Sequence, residues 1–217
     1  LIISSIFPFV IYLLAKTSCQ PTAGAITQRQ MQLRWIPATS LGRLKDHSAV
    51  IGSFDDTDIL YVLGGDFQDT SRSNAYLAYL SPGGGIQFWD PITFPLTMSM
   101  HSSVFHDGKI YVLGGCCTGT SSLDSVWYAQ VMTNGYITSW TPTISLPKPT
   151  YLHASVTLGD RIYIIGGYYW DYHLNVVLSD VYSARINDDG SLGTWEPERR
   201  LPHPLAAHAA VASPLHK

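Results

Sequence analysis

The stretch Lys109-Ile110-Tyr111-Val112-Leu113-Gly114-Gly115 decides the fold. Its apolar core is β-branched, aromatic and aliphatic, which suits a pleated surface, and two glycines end it where the chain must leave a crowded sheet. A similar run, Ile162-Tyr163-Ile164-Ile165, precedes Gly166-Gly167, and a third diglycine stands at Gly64-Gly65. The three pairs are spaced 50 and 52 residues apart, which is an internal period. Trp35, Trp89, Trp140 and Trp195 recur at spacings of 54, 51 and 55, and each is followed 12 or 13 residues later by His47, His101, His153 or His208.

Outward from the diglycine, each unit reads as four short strands. The middle one begins at His101-Ser102-Ser103-Val104-Phe105, turns at His106-Asp107-Gly108, and continues through Leu113 and the diglycine into a polar loop. It then runs through Val126-Trp127-Tyr128-Ala129-Gln130-Val131, turns at Asn134-Gly135 and ends in a strand carrying Trp140. Asn-Gly accepts the positive φ angles of a tight hairpin, and Asp189-Gly190 occupies the equivalent place in the third unit. The chain after residue 30 shows no sustained helical periodicity, so the expectation is all-β, with blades near 47–89, 101–140 and 153–195 and single strands of further blades at 33–37 and 208–212.

This pattern of strand, diglycine, Tyr and Trp resembles the kelch repeat family over roughly residues 33–212. The segment Asp189-Gly190-Ser191-Leu192-Gly193-Thr194-Trp195, followed by Leu201-Pro202 and His208-Ala209-Ala210-Val211, resembles kelch-like repeats of exported bacterial proteins. The resemblance implies a β-propeller of four-stranded antiparallel blades. Propellers close with about four to eight blades, so three full units imply an incomplete ring, closed by further blades in cis or by a second chain. Two kelch-like enzyme families, copper galactose oxidases and sialic acid mutarotases, supply a rival expectation of sugar chemistry, although no residue of theirs can be carried over to this chain. A structural or assembly module is the third alternative.

At 217 residues with 46% hydrophobic content, the chain can bury a sizeable core. Its formal charge is −3 and its 13 Lys and Arg are scattered, which argues against a nucleic-acid partner. Leu1 to Ala15 contains no charge and is followed by Lys16 and the small residues Ala23-Gly24-Ala25. Residues 1–25 therefore read as a signal peptide or membrane anchor, with a lipid anchor on Cys19 as a further alternative, and 26–32 as a linker before a propeller region at 33–217. The expected location is secreted, periplasmic or cell-surface, with membrane contact only through that N-terminal anchor. Cys116 and Cys117 are adjacent, which leaves a strained vicinal disulfide, pairing with another molecule, or simple burial.

The long loops Asp66–Asn74, Cys116–Ser125 and Tyr168–Ser179 are expected on one face, where binding surfaces of rigid frames concentrate. Candidate ligand contacts are Tyr168, Tyr169, Trp170, Asp171, Tyr172 and His173, four aromatics with an Asp and a His in six positions. Such rings suit stacking on a sugar or a peptide; the competing reading is cover for a neighbouring blade. The four repeated His read chiefly as blade architecture, with a metal role as the rival. Asp124 and Asp180, with Asn74 in the comparable place, read as turn residues whose side chains bond nearby amides. No Gly-Xaa-Ser-Xaa-Gly elbow, phosphate loop or His-Glu-Xaa-Xaa-His segment occurs, and the reading calls for no catalytic residue, metal or cofactor. The leading expectation is an extracellular module that binds carbohydrate or protein.

Overall fold

Ile110, Tyr111, Val112 and Leu113 are all buried, so this strand is covered on both faces. That is why it reads as a continuous apolar run and not as an alternation. A computed structural model describes residues 40–41, 44–54, 56–67, 70–71, 73–94, 96–116, 122–170 and 175–213. The expected anchor, the linker, Cys19, the strand at 33–37 with Trp35, Cys117, and Asp171, Tyr172 and His173 lie outside the described residues.

In chain order the strands are β1 (Ser48–Phe54), β2 (Thr57–Leu63), β3 (Asp66–Phe67), β4 (Thr70–Ser71), β5 (Asn74–Leu80) and β6 (Asp90–Thr93) in the first unit. The second unit holds β7 (Ser102–His106), β8 (Lys109–Leu113), β9 (Val126–Val131) and β10 (Ile137–Thr143). The third holds β11 (Ala154–Leu158), β12 (Arg161–Ile165), β13 (Tyr168–Trp170), β14 (Asn175–Val177), β15 (Val181–Arg185) and β16 (Glu196–Pro197). Three four-stranded antiparallel sheets result, ordered β1-β2-β5-β6, β7-β8-β9-β10 and β11-β12-β15-β16, and the described residues contain no helix. The fold is all-β, built of blades as expected, and the three sheets do not close into a ring. Two features were not anticipated: the long loops of the first and third blades fold back as two-stranded hairpins, β3-β4 and β13-β14.

The sheets pack face to face, with β7 beside both β1 and β11. Between blades one and two, Ile59, Tyr61 and Leu63 meet Ile110 and Val112; between blades two and three, Tyr111 and Leu113 meet Ile162 and Ile164. Tyr163 and Ile165, on the far side of β12, are only half-buried because no described sheet covers that face. Gly52 on β1 gives room for the ring of Phe105, which would lie 2.7 Å from an added Cβ and which meets Phe54 edge-on at 5.6 Å.

The repeated Trp residues are wedges. Trp140 lies in β10 and meets Phe94 of the preceding blade edge-on at 5.3 Å, while Trp195 is buried in the cluster between blades two and three. Trp89 and Trp195 stand one residue ahead of β6 and β16, so the fourth strands run on to Thr93, Thr143 and Pro197 and do not end at the Trp. The strand expected at 208–212 is also absent: among the described residues no ladder partner flanks it, and a strand is defined by its neighbour. The segment nevertheless holds the fourth innermost place. Ala210, Val211 and Ala212 line one groove of about 340 Å³ together with Val50, Ile51, Val104, Phe105, Val156 and Thr157, which stand three and four residues after His47, His101 and His153.

Candidate functional site

The entry to each of the three innermost strands, and to the 208–212 segment, is built from a residue with positive φ followed by a His. Asp46, Met100, Leu152 and Ala207 have φ of 57°, 54°, 53° and 53°. The amide of Met100 donates to the carbonyl of Asp46 (2.8 Å), that of Leu152 to Met100 (2.9 Å), and that of Ala207 to Leu152 (2.9 Å). A chain of backbone hydrogen bonds thus runs from blade to blade around the mouth of the central groove. Sequence reasoning missed these four residues because Asp, Met, Leu and Ala share no side-chain chemistry; what repeats is their backbone conformation.

The His residues that follow are inter-blade staples. A Cβ added to the second glycine of the same blade would meet His47, His101 or His153 at its own Cβ, 2.8 to 2.9 Å away for Gly65, Gly115 and Gly167. A Cβ on the first glycine of the preceding blade would meet the ring edge, at 2.8 Å for Gly64 against His101, 3.0 Å for Gly114 against His153 and 3.2 Å for Gly166 against His208. The Nε2 atoms of His101 and His153 bond the hydroxyls of Ser48 and Ser102, both at 2.7 Å. Burial pushes His101 down to about 3, helped by His153 and His47, and His153 down to about 4, helped by His208, so both rings are neutral. In the third blade Ala154 stands where the others have Ser, and neither ring nitrogen of His208 has a partner. No group of three or more His, Cys, Asp or Glu is arranged to hold a metal among the described residues.

Strand two of each blade ends at the same mouth, because antiparallel pairing sets Leu63 against Ser48, Leu113 against Ser102 and Ile165 against Ala154. The residues just after the diglycines, Asp66, Cys116 and Tyr168, bridge Lys45, Ser99 and Tyr151. The mouth therefore changes character around its rim. On blade one it carries Asp46 and Asp66. On blade two the Cys116 thiol lies 3.8 Å from the sulfur of Met100 and 3.8 Å from the Ser99 hydroxyl. On blade three the rings of Tyr151 and Tyr168 stack at 5.6 Å. Burial raises the Tyr151 phenol, with Cys116 and Tyr168 adding to it.

Of the six candidate ligand contacts, Tyr168, Tyr169 and Trp170 form β13 and are half-buried. The hairpin leans on blade two: the Ser122 hydroxyl donates to the carbonyl of Trp170 at 2.9 Å, and the Ser122 amide donates to the same oxygen at 3.2 Å. The reading of Asp180 as a turn residue is corrected, because its carboxylate takes Lys148 at 3.2 Å and Arg200 at 2.9 Å. Lys148 arrives from the connection between blades two and three, a partner that local sequence does not reveal. Asp124 contributes its backbone carbonyl to Leu146.

Two segments, 97–128 and 149–183, match the kelch motif. Kelch-like protein 33 of Homo sapiens is 34% identical over 139 residues, 63% of this chain and 24% of that protein. Kelch repeat protein C2 of Vaccinia virus is 38% identical over 80 residues, 37% of this chain and 15% of its own length. Host cell factor 1 of Rattus norvegicus is 27% identical over 190 residues, 70% of this chain and 9% of that protein. The chain spans about a quarter or less of the length of these curated relatives. The two matched segments lie in blades two and three, each a four-stranded antiparallel sheet.

Proposed function

We propose that this chain is a protein-interaction module that engages its partner with the face bearing the groove mouth and the hairpins β3-β4 and β13-β14. The observation that supports this most is the contrast between the two ends of the blades. At the opposite end the chain turns tightly, as at Asp107-Gly108 and Gly159-Asp160, whereas the mouth end carries extra hairpins on a frame pinned by buried sheets. Loops of varied chemistry on a rigid frame are where recognition concentrates. Kelch motifs agree with such a module, and the uncharged run from Leu1 to Ala15 supports an exported location.

The test is hydrogen exchange on the purified chain, after screening against protein and glycan arrays. Bound protein is expected to protect β3-β4, β13-β14 and the amides around Asp46, Met100 and Leu152. Protection confined to the turns at Asp107 and Gly159, or binding to glycans alone, would refute the proposal. Edman sequencing of mature protein tests export, with a first residue near position 26 expected.

A further inference from the structure

The Cys116 Sγ lies 3.8 Å from the Met100 Sδ. Both residues are half-buried, neither being sealed in the core. Met100 stands just before β7 and Cys116 just after β8, and these strands pair antiparallel, so the two positions return to one end of the sheet. Each backbone is then held on both sides. Cys116 exchanges amide-to-carbonyl hydrogen bonds with Ser99, both at 2.9 Å, while the Met100 amide donates to Asp46 at 2.8 Å and its carbonyl accepts from Leu152 at 2.9 Å. The two sulfurs thus project from a frame fixed before any ligand arrives.

The blade itself does not require them. Asp46 with Asp66, and Leu152 with Tyr168, hold the same two positions in blades one and three without any sulfur, and those blades form equally well. Thiolate and thioether are soft donors that select copper(I), whereas calcium and magnesium take oxygen ligands. Structural zinc takes four ligands, and no group of three or more His, Cys, Asp or Glu is arranged for a metal among the described residues. At metal–sulfur distances of about 2.3 Å, two sulfurs 3.8 Å apart subtend about 110° at the ion, between the tetrahedral and trigonal angles.

We infer that Cys116 and Met100 form a binding site for a copper(I) ion at the groove mouth. The cation replaces the thiol proton, which passes to water, and a lone pair of the Met100 sulfur makes the second bond; no oxidation state changes. The site stands apart from the protein-interaction reading and does not depend on it.

The test is an anaerobic titration of the whole chain with copper(I) against a chromophoric copper(I) chelator, made in the Cys19→Ser/Cys117→Ser variant, where Cys116 is the only thiol. One equivalent is expected to bind, with X-ray absorption showing two sulfurs at about 2.3 Å. Met100→Leu in that background should weaken binding about tenfold or more, and Cys116→Ser should abolish it. Met100→Leu should keep the fold, because Leu152 holds the same place in blade three with a φ of 53°, and melting without copper checks this. If it melts lower, Met100→Gln, of similar length and without sulfur, gives the same comparison. No binding in the single-thiol variant, copper(I) affinity unchanged without the Met100 sulfur, or tighter binding of zinc than of copper(I) would overturn the inference.

Discussion

The hydroxyl of Tyr111 donates to the carbonyl oxygen of Gly190 across 2.9 Å, joining strand β8 of blade two to the hairpin turn of blade three. Tyr61 does the same to Gly135 at 2.7 Å, one blade earlier. Both phenols are shifted upward by burial, so they remain donors throughout the neutral range. Tyr111→Phe keeps the ring and leaves a buried carbonyl without its donor, so it should lower stability by about 1–2 kcal/mol. Urea unfolding checks this, and Tyr163→Phe is the control. Tyr163 is the equivalent residue on the half-buried face of blade three, and its substitution should be nearly neutral in this chain.

Gly114 has a φ of 57°, and a Cβ there would stand 2.3 Å from the carbonyl oxygen of Thr150 and 3.0 Å from the His153 ring. Gly114→Ala therefore combines left-handed strain with a backbone clash, costing about 2–5 kcal/mol in thermal or denaturant unfolding. Gly159→Ala has a similar positive φ but open space around it, and should cost only about 1–2 kcal/mol from the strain. Equal losses at the two positions would show that the close packing at the diglycine is not what matters.

Buried neutral histidines make the fold acid-sensitive. His101 and His153 titrate in the unfolded chain near 6.5 and in the folded chain near about 3 and about 4. As pH falls below 6.5 the unfolded chain gains protons that the folded chain refuses, so stability is present above that value and lost progressively below it. Each His should contribute a slope of about 1.4 kcal/mol per pH unit between 6.5 and its folded value. His153→Asn should be less stable than the parent at pH 7, with the gap narrowing by pH 5. A gap independent of pH would sink the assignment of a neutral buried His153.

Ala154 interrupts the series of Ser-His contacts. Ala154→Ser should place a hydroxyl near His208 Nε2, as Ser102 does for His153, and raise stability by about 0.5–1.5 kcal/mol. The change would appear in unfolding curves together with a perturbed His208 ring resonance. An unchanged resonance would mean that the 208–212 segment does not hold the fourth innermost place in solution.

The period of about fifty residues, the four strands per unit, the diglycines and the hairpin turns were legible in the chain alone. These features are local, since strand patterning, positive φ at glycine and Asn-Gly turn chemistry act over a few neighbouring residues. The blade frame needs nothing more, because each unit repeats the same local instructions and buries its aromatic wall on a copy of itself. The character of the mouth was not legible. Asp46, Met100, Leu152 and Ala207 share only a backbone conformation, and Asp66 comes to bridge Lys45, next to Asp46, because antiparallel pairing returns the chain to the same end of the sheet. Ser48 and His101, or Lys148 and Asp180, likewise become partners only when one blade docks on the next. Long-range contacts of that kind depend on how sheets stack, and only the tertiary structure decides them.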